Sequence, residues 1–348
     1  MSEFQLDTLL RDNIKGIKAY SSARDEYVST GSEMVFLDAN ENPYNNGVNR
    51  YPDPLQRSLK VELSQIKKLH SDQILLGNGS DEVLDLIFRA FCEPGKDQVI
   101  CFPPTYGMYQ VLADLNAIEV LQIPLTKEFL IDTKKVQSQL KNQKLVFVCS
   151  PNNPSGNLLQ EEAIEELLTN FKGIVVVDEA YIDFTDAPSW IERLDQYPNL
   201  IVTQTLSKAY GMAGIRLGML FASRAIIQVL NKIKPPYNVN ELTQKRALER
   251  VKDYQKVQEE VKTIIENRTQ LISALQTIEY VKTIYPSDAN FVLAQVDDAS
   301  IRYQQLLEAG FVVRNRSTQQ HCENTLRFTV GTTQENNQLI SCLKSLES

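Results

Sequence analysis

Lys208 sits in the segment Thr205-Leu206-Ser207-Lys208-Ala209-Tyr210-Gly211-Met212-Ala213-Gly214-Ile215-Arg216-Leu217-Gly218, shortly after the apolar run 200–202. A single lysine is ordinarily a solvated surface charge. This one stands at a strand exit, among hydroxyls, small residues and an arginine. Small residues let the backbone approach a bulky ligand closely. Thr205 and Ser207 offer hydroxyl donors to a phosphate, and Arg216 can clamp one with two parallel bonds. A lysine with a depressed pKa is the residue type that forms Schiff bases with carbonyl compounds.

Four other segments carry compatible chemistry. In Val175-Val176-Val177-Asp178-Glu179-Ala180-Tyr181 an apolar strand delivers Asp178 at its end, where open α/β sheets bind ligands. Alone, Asp178 reads as a helix cap. Beside Lys208 it reads as a carboxylate that keeps a pyridine nitrogen protonated, which makes the ring an electron sink. Tyr181 can donate to that ring's phenolic oxygen. Ser150-Pro151-Asn152-Asn153-Pro154-Ser155-Gly156 has the composition of a plain turn, yet Asn153 can point its amide at the same oxygen. Leu76-Gly77-Asn78-Gly79-Ser80-Asp81-Glu82 is a strand-to-helix turn whose amides can cradle an anion. Tyr106 can stack on a planar ring or simply pack in a core. Together these residues describe one site for pyridoxal 5′-phosphate (PLP), with Lys208 as its covalent partner.

Each residue lies at or just beyond the end of an apolar run. Runs of strand type cover 74–76, 99–102, 120–123, 145–149, 174–177, 200–202 and 217–221, and helical patterns cover 81–91, 105–115 and 161–170. Continuous apolar runs suit strands covered on both faces. Alternation of strand and helix predicts a largely parallel α/β sheet. Pro235-Pro236 interrupts the pattern. Helical spacing follows over 241–279, then a smaller α+β region with strands at 291–294, 311–314 and 326–330 and helices at 300–309 and 334–346. The expected division is an N-terminal arm over 1–35 that joins the small domain, a large PLP-binding domain over 36–236, and a linking helix with the small C-terminal domain over 237–348.

Composition narrows the alternatives. A chain of 348 residues suits two domains. A net charge of −8 argues against nucleic acid as a partner. The five scattered cysteines read as reduced core thiols, and two distant histidines, His70 and His321, give no metal site. No signal peptide and no apolar run of membrane-spanning length are visible, so a cytoplasmic protein without membrane contact is expected. A dinucleotide fingerprint fails, because Glu82 occupies the place of its third glycine.

The ordered set of motifs resembles the fold-type I, aspartate aminotransferase-like PLP enzymes. Within them it is similar to the histidinol-phosphate aminotransferase family. The likeness runs through Ala19-Tyr20-Ser21-Ser22-Ala23-Arg24, Leu37-Asp38-Ala39-Asn40-Glu41-Asn42-Pro43, Arg50-Tyr51-Pro52-Asp53, Pro103–Tyr109 and Leu326-Arg327-Phe328-Thr329-Val330-Gly331. The resemblance implies a Schiff base at Lys208, Asp178 on the pyridine nitrogen, Asn153 and Tyr181 on the phenolic oxygen, and Tyr106 stacked on the ring. It implies that the amides of Ser80 and Asp81, with Thr205, Ser207 and Arg216, hold the cofactor phosphate. Tyr51 is expected to reach the cofactor of a neighbouring subunit in a homodimer. Tyr20, Asn40, Arg314 and Arg327 are expected at the substrate. Ser155 and Thr205 exchange one hydroxyl residue for another relative to many relatives, and 315–323 is less diagnostic.

The implied reaction is amino transfer from L-histidinol phosphate to 2-oxoglutarate, giving imidazole acetol phosphate and L-glutamate in histidine biosynthesis. Aromatic amino acid transamination and decarboxylation of a phosphorylated amino acid such as threonine phosphate use the same scaffold. A non-catalytic PLP-binding module is a further alternative, but it ordinarily carries an added DNA-binding domain for which the match leaves no room.

Overall fold

The computed structural model describes residues 4–18 and 35–346. Seven strands form one sheet: β1 (Ile74–Asn78), β2 (Gln98–Cys101), β3 (Glu119–Gln122), β4 (Leu145–Cys149), β5 (Ile174–Asp178), β6 (Leu200–Thr205) and β7 (Leu217–Ala222). Their spatial order is β1-β7-β6-β5-β4-β2-β3. Strands β2 to β6 pair in parallel, and only β7 runs against its neighbours. Every residue of β4, β5, β6 and β7 is buried. One face packs residues such as Val146, Val175, Val202 and Phe221. The other packs Phe88, Phe147, Val176 and Leu220. Two covered faces are the reason these strands are mostly apolar, with polar residues gathered at the C-terminal ends of β5 and β6.

The pairing also fixes where the strands end. Because β7 is antiparallel to both β1 and β6, strands β1, β2, β4, β5 and β6 all leave the sheet at one edge. The segments expected to carry chemistry follow those five strands.

A second sheet of four strands has the order β10-β11-β9-β8, with β8 (Val281–Ile284), β9 (Phe291–Val296), β10 (Arg314–Asn315) and β11 (Thr325–Thr329). Helices Ala299–Glu308 and Thr333–Ser345 accompany it, and its own core includes Leu271, Val292, Leu326 and Phe328.

Several boundaries differ from the sequence expectation. The helical stretch 241–279 is two helices, Glu241–Lys252 and Tyr254–Leu275, separated at Asp253, whose φ of −92° and ψ of 44° leave the helical region. Helix 105–115 begins only at Met108. The strand expected at 311–314 is reduced to Arg314–Asn315. Strand β8 has no counterpart in the sequence reading; its two central residues are exposed, so it carries no apolar run. Val239, Ala247 and Val251 pack into the core of the large sheet.

Candidate active site

Nine residues expected at a cofactor site line a single pocket: Ser80, Asp81, Tyr106, Asp178, Tyr181, Thr205, Ser207, Lys208 and Arg216. The sheet brings them together. Asp178, the last residue of β5, lies beside Cys149 of β4 and Thr203 of β6 in the ladder. Asn153 follows β4 and reaches Tyr181, donating through Nδ2 to the phenol oxygen at 3.4 Å.

Asp178 is the buried anion of the pocket. Tyr109 Oη donates to its Oδ2 at 2.7 Å, and the amide of Ala180 donates to Oδ1 at 3.3 Å. Burial raises the pKa of Asp178, and the Tyr109 bond opposes that shift. A buried carboxylate of this kind needs a cation or a protonated ring opposite it. Tyr109 was not singled out from sequence. It shares the buried face of helix Met108–Leu115 with Leu112 and Ala113, which marks a core aromatic, and it stands 69 positions from Asp178 in sequence.

Lys208 Nζ lies 5.7 Å from the centre of the Tyr181 ring. Solvent reaches its side chain through the open pocket, while the surrounding protein strips part of the ammonium's hydration. That desolvation lowers its pKa, assisted by the charge of Arg327 and opposed by Asp178. A less protonated amine is a better nucleophile and base.

The anion cradle is built from backbone. Helix Ser80–Phe91 has Gly79 as its N-cap, with φ +83° and no side-chain cap. A Cβ on Gly79 would stand 2.6 Å from Arg216 Nη2. A Cβ on Gly218 would stand 2.4 Å from the amide nitrogen of Ser80. At Gly218 the backbone itself excludes a side chain, and at Gly79 one would displace the guanidinium, so the first-turn amides and the guanidinium share one space. Arg216 sits 3.4 Å from Asp81, and Tyr106 donates to the other oxygen of Asp81 at 3.1 Å. Thr205 donates its hydroxyl to Leu217 O at 3.2 Å and accepts from the amide of Ser207 at 3.1 Å. The donor set suits PLP: an amine, a buried carboxylate for a ring nitrogen, a phenol and an amide for an oxygen, and a helix N-terminus with arginine for a phosphate.

A second group of cations stands on the small sheet. Arg327 of β11 donates to Asn153 Oδ1 and lies over the Phe291 ring at 5.0 Å. Arg314 of β10 is directly opposite Arg327 in the ladder. Arg316 stands two residues further on the same face, in the stretch 315–323 whose sequence is less diagnostic. Burial lowers the pKa of Arg327 to about 10, with Arg316 and Arg314 adding repulsion.

Not every expected residue joins this pocket. Tyr20 lies outside the described residues. Asn40 and Tyr51 line a separate cavity of about 500 Å³ with Asn240 and Leu242. Tyr51 stacks on Tyr237 with ring centres 4.5 Å apart.

Comparison with known proteins agrees with this geometry. The family model "Aminotransferase class I and II" matches residues 32–343. The histidinol-phosphate aminotransferase of Flavobacterium johnsoniae is 58% identical over 348 residues, covering 99% of this chain and 100% of its own. The structure of the histidinol-phosphate aminotransferase from Clostridium acetobutylicum superposes with a TM-score of 0.80 at 26% identity, covering 86% of this chain and 91% of that one. The structure of the Sinorhizobium meliloti histidinol-phosphate aminotransferase in complex with pyridoxal-5′-phosphate has a TM-score of 0.78 at 24% identity, covering 86% and 83%.

Proposed function

Because the chain belongs to the class I and II aminotransferases, and within them to the histidinol-phosphate aminotransferase family, we propose that it transfers the amino group of L-histidinol phosphate to 2-oxoglutarate in histidine biosynthesis. The full-length likeness to curated enzymes of that name carries this reading. The pocket around Lys208 and the arginines beside it agree with it.

PLP, when bound, supplies an electron sink for the charge that develops at the substrate's α-carbon. The chain's own residues do the rest. Ser80, Asp81, Thr205, Ser207 and Arg216 hold the cofactor phosphate. Asp178, whose ionised form the Tyr109 bond favours, would hold a proton on the pyridine nitrogen. Asn153 and Tyr181 bind the phenolic oxygen, and Tyr106 covers the ring. Lys208 Nζ, its pKa depressed by partial desolvation, takes the proton from the substrate's α-carbon. Arg327 and Arg314, with Tyr20, bind the anionic end of the substrate, and Asn40 is assigned a place near the substrate. Charge-assisted bonds of this kind contribute roughly 1.5–3 kcal/mol each.

The same reading includes a cytoplasmic homodimer of chains divided at about 36 and 237. Val35, Leu37, Tyr44, Val48 and Tyr51 are all exposed in the single chain, an apolar surface of the kind that subunits cover. Tyr51 then faces the partner's cofactor. No helix among the described residues is long and apolar enough to cross a membrane.

The test is a parallel assay of purified enzyme for amino transfer from histidinol phosphate and for carbon dioxide release from threonine phosphate. Amino transfer without carbon dioxide supports the reading; the reverse refutes it.

A further inference from the structure

Arg314, Arg316 and Arg327 place three guanidinium groups on one face of the small sheet. Arg314 and Arg327 are ladder partners. The amide of Arg316 donates to Thr325 O at 2.9 Å, which continues the same ladder and puts its side chain on the same face. Like charges opposite one another in a sheet destabilise it. Among the described residues no carboxylate lies within ion-pairing distance of any of the three. The Nε atoms of both Arg316 and Arg327 are buried without a hydrogen-bond partner. A half-buried guanidinium with no counter-ion and an unmet donor costs stability unless a ligand supplies them. Arg327 donates to Asn153, which in turn donates to Tyr181 of the Lys208 pocket, so this face of the small sheet adjoins that pocket.

We propose that Arg316 is a third arm of the anion subsite made by Arg314 and Arg327, and that it selects a phosphate dianion over a carboxylate. The inference rests on the transaminase reading above and deepens it. A carboxylate offers two oxygens and a single charge, which two guanidinium groups satisfy. A phosphate monoester offers three terminal oxygens and close to two charges above pH of about 6. The third guanidinium is therefore worth most to the phosphate-bearing substrate.

The experiment compares PLP-loaded wild type with Arg316→Gln and Arg316→Lys, with histidinol phosphate varied at fixed 2-oxoglutarate and the reverse. Arg316→Gln is expected to raise KM for histidinol phosphate about tenfold, more than it lowers kcat and more than it raises KM for 2-oxoglutarate. Arg316→Lys, which restores charge without the fork, recovers part of the loss. Inorganic phosphate, titrated calorimetrically against the loaded enzyme, is expected to bind wild type more tightly than Arg316→Gln. Equal shifts in KM for both substrates, or equal phosphate affinity in folded wild type and variant, would overturn the proposal. If wild type fails to transaminate histidinol phosphate, the functional reading falls, and the phosphate titration still decides the role of Arg316.

Discussion

Tyr109 Oη donates a 2.7 Å hydrogen bond to Oδ2 of Asp178, and both groups are buried. The bond works against burial, which pushes the Asp178 pKa up. It therefore favours the ionised carboxylate, the state that a protonated pyridine nitrogen requires. Tyr109→Phe removes the donor and keeps the packing on Phe147, whose ring centre is 5.0 Å away. The expected result is a loss of about tenfold in kcat with little change in thermal stability, the equivalent of one bond to a charged group. Steady-state rates and a melting curve on the same preparation check it. Unchanged turnover would mean that Asp178 needs no help.

Gly79 tests the phosphate cradle. Its φ of +83° strains any L side chain, and an added Cβ would stand 2.6 Å from Arg216 Nη2, so the guanidinium must shift. Gly79→Ala should weaken PLP binding about tenfold or more, from backbone strain and a displaced guanidinium. Gly16→Ala is the matched control, since nothing lies within 4 Å of its added carbon. Cofactor titration followed by absorbance separates the two variants, and equal affinities would rule out this cradle.

Arg327→Ala deletes the guanidinium that bonds Asn153 and covers Phe291. Arg246→Ala deletes an exposed one that pairs with Glu249 along its own helix. The first should cost at least about a hundredfold in kcat/KM. The second should stay within about twofold. Similar losses in both would remove Arg327 from the substrate site.

Glu179 gives a pH test that does not involve the reaction. It is buried and accepts bonds from the Trp190 amide at 2.7 Å, from Gln204 at 2.8 Å and from Ser189. Burial nevertheless pushes its pKa up to about 7 from 4.5. The folded state thus prefers the protonated acid. That contribution is complete below pH of about 4.5 and is lost as pH rises through about 7, at most of order 3 kcal/mol. Melting temperature should fall across that window more in wild type than in Glu179→Gln. Parallel curves for the two proteins would contradict the assignment.

The sequence makes the cofactor side of the site readable because each group is carried by a local pattern. An apolar run followed by Asp178, or by Thr205-Leu206-Ser207-Lys208, is a strand and its exit. Tyr109 and Arg316 were not readable, since their significance lies in contacts made across the fold. Tyr109 looks like core and is core; only its hydroxyl reaches Asp178. Arg316 gains its meaning from Arg314 and Arg327, which the ladder of β10 and β11 brings alongside. The large sheet was legible from its buried apolar strands. The small sheet was less so, because β8 is half exposed and β10 is only two residues long. The break at Asp253 carries no proline or glycine to announce it.

The most direct test is the yield of glutamate from histidinol phosphate and 2-oxoglutarate, measured at end point for wild type and Lys208→Ala, each supplied with PLP. Wild type should convert the limiting substrate and Lys208→Ala should remain at the blank. An inert wild type, or a Lys208→Ala variant with full conversion, would contradict the account.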